Sequence, residues 1–539
     1  MNRQQLFLLA GIALFLGGCS LAPKYTRPEA PIPADWPMGA AYKETQAMPG
    51  APTAQALRWQ EFFTDQKLQQ IIKTALNNNR DLRLAALNVE RARALYGIQR
   101  AELLPTVSAM GSGGKQRVPA DLSATGKSMR VEQYSVNLGI SSWEIDFFGR
   151  IRSLKDRALQ EYLATEQARR SAQISLVSEV ARVSLTLAAD RENLKLTRST
   201  LETQQAAYAL IQWQYEVGLA TKLDLRQAQI PVDAARGNVA RYTQLVAQDK
   251  NALNLLTGSP VSEDLLPADL SSVIPPKEIS PGLSSEALLN RPDIVAAEHR
   301  LKGAYAFIGA ARAAFFPRIS LTTALGTASA ELSGLFNSGS DTWNFTPQIV
   351  LPIFDARTWA ALRVSKADRK IVLTQYEKAI QTAFREVADS LAVQGTINQQ
   401  ISAQQSLVNA VAETYRLSNI RYKTGIDSYL GVLDAQRSLY AAQRVLISLR
   451  LARLANQVRL YAVLGGGSEK TFHTKADHSG RLGRSRCTTT GGSPTSTASR
   501  PSRVSTLTGT EQQTIRDFDG QGGTQPGGQR PCRPERGVR

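Results

Sequence analysis

Tyr215-Glu216-Val217-Gly218-Leu219 and Tyr422-Lys423-Thr424-Gly425-Ile426 stand 207 positions apart, and reading them as a pair decides the fold. Ala228, Gln229 and Gly258 recur at the same spacing as Ala435, Gln436 and Gly465. Further upstream, Asp81 and Pro105 recur 212 positions on as Asp293 and Pro317. Self-similarity over so long a stretch marks a duplicated structural module. Residues 59–258 form the first repeat and 283–465 the second, with 259–282 as the linker. Each repeat reads helix, strand, strand, then a long pair of helices.

The long helices follow from what the chain lacks and what it repeats. No proline occurs between Pro119 and Pro231, or between Pro352 and Pro494. Val180, Leu187, Leu194, Leu201, Tyr208 and Tyr215 keep a seven-residue register, as do Ile401, Val408, Tyr415 and Tyr422. Sustained heptads predict coiled coils. A helix from Arg150 to Glu216 would span roughly 100 Å at about 1.5 Å per residue. Gly218 and Gly425 mark the turns. Return helices are expected at about Lys222–Leu256 and Leu430–Leu464, with Pro231 kinking the first or fraying its start. Shorter helices at about Leu68–Leu103 and Ser284–Phe315 are interrupted or capped by Asn77-Asn78-Asn79 and Asn290-Arg291-Pro292.

The strands are amphipathic with a period of two. Tyr134, Val136, Leu138 and Ile140 alternate with Ser135, Asn137, Gly139 and Ser141. Ile319, Leu321 and Leu325 alternate with Ser320, Thr322 and Gly326; Trp343, Phe345, Ile349 and Leu351 with Asn344, Thr346, Gln348 and Val350. A weaker fourth strand is expected from Leu104 to Gly113. No amphipathic segment is left over to cover four such apolar faces. An apolar outer face with small polar residues inside fits a lipid-embedded barrel around a wet lumen. About eight strands is the smallest such barrel, so four cannot close one. Three chains would supply twelve. The expected class is therefore an α+β membrane protein: a trimeric twelve-stranded outer-membrane β-barrel continuous with a long periplasmic coiled-coil barrel.

The two ends of the chain differ in character. Residues 1–18 read as an export signal, with Arg3 followed by the apolar run Leu6 to Leu16, too short to span a bilayer. Leu16-Gly17-Gly18-Cys19 resembles a bacterial lipobox, which implies cleavage before Cys19 and N-acyl and S-diacylglycerol groups on that residue. Ser20 resembles the sorting signal for the outer membrane, and several acyl chains make a durable anchor. Residues 19–58 form a proline-rich extended strap. Residues 466–539 are an atypical tail rich in Gly, Ser, Thr, Pro and Arg, a composition expected to be disordered and dispensable. Cys487 and Cys532 occur only there.

Of the net charge of +18, the segment from Glu469 onward supplies a third, with twelve Lys/Arg against six Asp/Glu. The remainder is spread along helices without a basic stripe, so no nucleic-acid partner is expected. The only histidine before the tail is His299, and the repeats hold no phosphate-cradling loop and no Cys/His cluster. Neither catalysis nor a metal or other cofactor is expected. Pattern and length alone give a conduit from the outer membrane into the periplasm. The competing readings are a duct for protein secretion or metal export, and a non-conducting structural lipoprotein.

Trp143-Glu144-Ile145-Asp146-Phe147-Phe148-Gly149-Arg150 resembles the strand-to-helix junction of outer-membrane efflux channels. Ala314 to Leu321 is similar to their second helix-to-strand junction. Asn290-Arg291-Pro292-Asp293-Ile294 and Leu433-Asp434-Ala435-Gln436-Arg437-Ser438-Leu439 are similar to two more of their motifs. From Cys19 to Gly467 the chain resembles the outer-membrane factor family, in its TolC-related, OprM-like lipoprotein branch. The resemblance implies a homotrimer that works with a periplasmic adaptor and an inner-membrane RND exporter to expel drugs, dyes and solvents. It further implies a periplasmic gate in which Leu430 plugs, Asp434 forms a threefold carboxylate ring and Arg437 links laterally. Asp224 and Tyr422 match a pair that links neighbouring coils in the closed state. The sequence departs from that pattern at Asp427, where a linking arginine is usual, and at Gly431, where a first aspartate ring is usual.

Overall fold

The computed structural model describes residues 20–42, 52–280, 282 and 284–467, all within one unit, Met1–Thr471. The signal, Cys19 and the tail from 468 onward lie outside the described residues. From Trp59 the elements are α1 (Trp59–Phe62), α2 (Gln66–Asn78), α3 (Arg80–Ala101), β1 (Val107–Val118), β2 (Met129–Ile145), α4 (Arg150–Glu216) and α5 (Lys222–Thr257). After the linker come α6 (Pro292–Ala313), β3 (Arg318–Ser329), β4 (Asp341–Val350), α7 (Ala356–Lys423) and α8 (Tyr429–Val463).

Local chemistry sets the boundaries. Asn79 closes α2 through its amide to the Ala75 carbonyl (2.8 Å) and opens α3 by accepting from the Leu82 amide (2.8 Å). Its side-chain amide also donates to the Leu256 carbonyl, pinning this break to the end of α5. Pro292 occupies the first turn of α6, where its missing N–H costs nothing. At the junction into α4, Glu144 takes the Arg150 guanidinium in two 2.8 Å bonds, and Asp146 accepts from the Arg152 backbone amide at 2.9 Å. These pairs anchor the helix to the strand that feeds it.

Helices α4 and α7 run for 67 and 68 residues, roughly 100 Å each at about 1.5 Å per residue. α4 packs on α3 and α6 toward the sheet and on α5 beyond; α7 packs on α6 and then α8. The main core gathers where these segments meet. Phe62 stacks on Tyr461 with ring centroids 4.0 Å apart, and the Tyr461 hydroxyl donates to the Leu57 carbonyl. Val180, Leu187, Leu288, Ile294, Leu301 and Val387 are fully buried around them. Each such side chain contributes about 1.5–3 kcal/mol by leaving water. The heptad register is fully buried at Val180 and Leu187 and becomes part-exposed toward Tyr215.

The sheet is antiparallel in the order β1-β2-β3-β4, with one edge each at β1 and β4 unpaired. Ala109, Leu138, Leu325 and Trp343 lie opposite one another on one face; Met110, Asn137, Gly326 and Thr342 on the other. The apolar face is uncovered: Leu138, Leu325 and Trp343 are 51%, 65% and 80% exposed. β1 departs from expectation, starting three residues after Leu104 and running to Val118. Pro105 cannot donate to a ladder, and the upper part of β1 is held by register with β2 rather than by apolar alternation. The start of α5 is not frayed: the helix runs from a Thr221 cap with Pro231 inside it. Its ring removes only one amide donor.

Residues 20–42 lie extended along α6 and α7. The Glu298 carboxylate receives Arg27 (2.6 Å), Lys302 (2.8 Å) and the Tyr25 hydroxyl (3.1 Å). Burial would raise its pKa, yet Arg27 and Lys302 hold it below the usual carboxylate range. Trp36 stacks on Phe384, and the Arg312 guanidinium donates to the Leu21 carbonyl. Among the described residues no helix is long and apolar enough to cross a membrane.

Candidate functional site at the helical turns

The two long hairpins reverse through the same backbone device. Gly218 and Gly425 sit at φ 79° and 75°, the left-handed region that a Cβ disfavours. The Leu219 amide donates to the Gln214 carbonyl (2.7 Å) and Gly218 to Tyr215 (3.1 Å); Ile426 donates to Arg421 (2.9 Å) and Gly425 to Tyr422 (2.9 Å). Both are helix-ending Schellman turns, which satisfy carbonyls that would otherwise be orphaned.

The side chains that lock the turns differ. In the first, Thr221 and Asp224 form a reciprocal capping box: Asp224 accepts from the Thr221 amide (2.9 Å) and hydroxyl (2.6 Å). Those donors hold the Asp224 carboxyl below its usual range. In the second, the Arg421 guanidinium grips Asp427 through Nε (2.5 Å) and Nη2 (3.1 Å). Ser428 makes no side-chain cap for α8. Both turns expose apolar side chains, Ile420, Ile426 and Leu430 among them at the second. Trp213, Val217, Leu219 and Leu223 leave an exposed apolar collar at the first turn. At the second, Tyr422 and Tyr429 pack at 5.1 Å, and burial with the neighbouring phenols pushes Tyr429 up to about 12.

Leu430, Asp434 and Arg437 lie on the first turns of α8. Leu430 is 57% exposed. Arg437 donates to Asp434 at 2.6 Å, with side chains 81% and 63% exposed. So exposed a pair adds little to stability, and both groups can be re-partnered by an incoming chain. Asp224 and Tyr422 are not brought together within the chain. Asp224 is engaged by Thr221, and Tyr422 reaches Gln214 of α4 in a long 3.4 Å contact. Cys19 lies outside the described residues.

Three polar features were missed from sequence. The Arg421–Asp427 clamp had a signal: opposite charges six apart, flanking a turn glycine. The Glu298 site had a weaker one, a tyrosine and an arginine in an otherwise apolar strap. Asp190 and Asp249, facing one another between α4 and α5, had none, because partners 59 positions apart on separate helices share no local pattern. Burial, then mutual repulsion, pushes Asp249 up to about 6, and burial raises Asp190. His299 accepts or donates at Gln160 (2.7 Å), and burial lowers its pKa, which suits a structural imidazole. Among the described residues no His, Cys, Asp and Glu group could hold a metal.

The profile of a family described as outer membrane efflux protein matches residues 71–259 and again 283–466. The toluene efflux pump outer membrane protein TtgC of Pseudomonas putida is 51% identical over 86% of this chain and 96% of its own. A crystal structure of a membrane protein from Pseudomonas aeruginosa superposes with TM-score 0.77 at 42% identity, covering 83% of this chain and all of that one. The open state of the MtrE outer membrane channel of Neisseria gonorrhoeae superposes with TM-score 0.74 at 36% identity, covering 83% and 98%. With two segments matched by the family profile, half of the aligned positions identical to an efflux protein and solved membrane-protein structures superposed over 83% of the chain, this chain belongs to the outer membrane efflux protein family.

Proposed function

We propose that three copies of this chain form a passive exit duct for drugs, dyes and organic solvents. The observation that carries this reading is the sheet: four strands, two unpaired edges and an uncovered apolar face, joined directly to hairpins of roughly 100 Å. Joining β1 of one copy to β4 of the next would remove every edge and give twelve strands with the apolar face in lipid. The two segments matched by one family profile support a duplicated module, with 59–258 and 283–465 as its copies. The strap would hang from acyl groups on Cys19 in the outer membrane, while the hairpins reach into the periplasm toward an adaptor and an RND exporter. The tail from 466 onward would be dispensable.

Leu430, Asp434 and Arg437 would narrow the periplasmic end. Asp434 and Arg437 would exchange their partners in the chain for those of a neighbour, and Asp224 would meet Tyr422 across copies. Opening would be a small shift of packed helices. The test is dye and antibiotic efflux in cells lacking their own duct, given this chain with an adaptor and exporter. Restored efflux supports the reading; failure with outer-membrane trimers present would point to protein or metal export instead. Asp434→Ala should raise the leak conductance of reconstituted protein, and an unchanged closed-state conductance would remove Asp434 from the gate.

A further inference from the structure

The uncovered face of the sheet changes character along β1 and β2. From the helix end upward, the opposed pairs are Val107↔Ile140, Ala109↔Leu138, Gly111↔Val136 and Gly113↔Tyr134. Residues directly opposite one another share a face, so Lys115↔Glu132 and Arg117↔Arg130 continue this apolar column. Lys115 pairs with Glu132, which also accepts from the Tyr134 hydroxyl. Arg117 and Arg130 lie opposed, two like charges where a sheet ordinarily avoids them. Arg117 reaches the Ser128 hydroxyl, at 2.9 Å; Arg130 acts on Glu132 only through its charge, and among the described residues neither arginine is closed into an ion pair. Both are exposed, and the connecting turn adds one cation, Lys127, and one acid, Asp121.

Tyr134 sits where an aromatic girdle would mark the edge of the hydrocarbon. Lys115, Arg117 and Arg130 therefore fall at headgroup depth, at the end of the sheet remote from the helices. The hairpin joining β3 to β4 has the opposite sign, with Glu331 and Asp341 and no base between them. The cations are thus concentrated on one hairpin and aimed sideways into the lipid. Guanidinium groups held a strand apart match the geometry of a phosphate, which each can engage through two N–H donors.

We propose that the outward face of the β1–β2 hairpin binds the phosphate of a phosphorylated glycolipid in the outer leaflet. Arg117 and Arg130 grip the phosphate and Lys115 flanks it, held in place by Glu132. The anion relieves the repulsion between the two arginines and fixes the barrel's depth and rotation in the leaflet. This rests on the reading of the sheet as part of a membrane barrel.

The test uses purified full-length protein in detergent, titrated with lipid A carrying its phosphates and with the same lipid stripped of them. The phosphorylated form is expected to bind at least tenfold more tightly. Lys115→Gln/Arg117→Gln/Arg130→Gln together should erase that preference. Arg117→Lys/Arg130→Lys should keep most of it, which guards against a folding defect, and Glu331→Gln should leave it unchanged. Equal binding of the two lipids, or a preference that survives the triple substitution, overturns the proposal. Complete displacement of the lipid by millimolar inorganic phosphate would overturn the assignment to a headgroup. Conductance is measured on the same preparation in a phosphate-free bilayer: protein that conducts without the preference sinks this proposal alone, whereas protein that never conducts sinks the duct.

Discussion

The two hairpins share a backbone and divide their chemistry in opposite ways. Hairpin α4–α5 has a turn locked by a compact capping box at Thr221 and Asp224, but a stem holding two facing acids, Asp190 and Asp249. Hairpin α7–α8 has a turn locked by the Arg421–Asp427 ion pair, but a stem joined by amide side chains and by Arg450, which donates to the Gln405 side-chain carbonyl at 3.2 Å. There Gln404 donates to the Ala442 carbonyl and Asn456 to the Ser390 carbonyl, both at 2.9 Å. Repetition preserves what the backbone needs and leaves the electrostatics free to diverge. Salt should therefore reach the second turn, and pH the first stem.

The shared backbone is where substitution should hurt most. Gly218→Val and Gly425→Val each force a β-branched residue into the left-handed region, at about 1–2 kcal/mol. Hydrogen exchange at the Leu219 and Ile426 amides should speed up by a similar factor in both variants. A turn that tolerated valine would break the equivalence of the two.

The locks come next. Thr221→Ala removes one cap at about 1 kcal/mol and should loosen the first turn equally at low and high salt. Arg421→Ala should loosen the second at low salt and matter less at high salt, where an exposed pair is already screened. Both carboxylates titrate below the usual range, so each lock is present above that range and fails as pH falls through the depressed value. Acid cannot tell the turns apart. An Arg421→Ala effect that ignored ionic strength would show that Asp427 is held by something else.

How much of this could be read from residues alone depended on the range of the cause. Helix limits at Glu216 and Lys222 followed from the glycine between them, Gly218, and strand faces at Leu138 and Trp343 from alternation. β1 was misplaced because its upper half is fixed by β2, a partner whose register no local pattern encodes. The turns were located, but their locks were not distinguished. A family resemblance places Asp224 and Tyr422 together, whereas the single chain gives each its own partner. Side-chain pairings are set by three-dimensional proximity, which periodicity does not report.

The smallest expected effect is on the first stem. Asp249 is pushed up to about 6, chiefly by burial and then by Asp190, with Arg182 on α4 opposing and Arg241 on α5 acting on Asp190. A raised folded pKa means that the charged form is the disfavoured one. The stabilisation from the protonated carboxyl is full below the ordinary aspartate range and is lost as pH rises through about 6. At pH 7 the pair opposes the packing of α4 on α5. Partial exposure keeps this within about 1 kcal/mol. Asp249→Asn should therefore slow hydrogen exchange along α4 and α5 near Asp190 at pH 7. At pH 4, where the native acid is already neutral, it should change little. The α7–α8 stem, with no such pair, supplies the internal control. Exchange that slowed equally in both stems, or as much at pH 4 as at pH 7, would show that the asparagine acts through packing and that the two stems do not differ in charge.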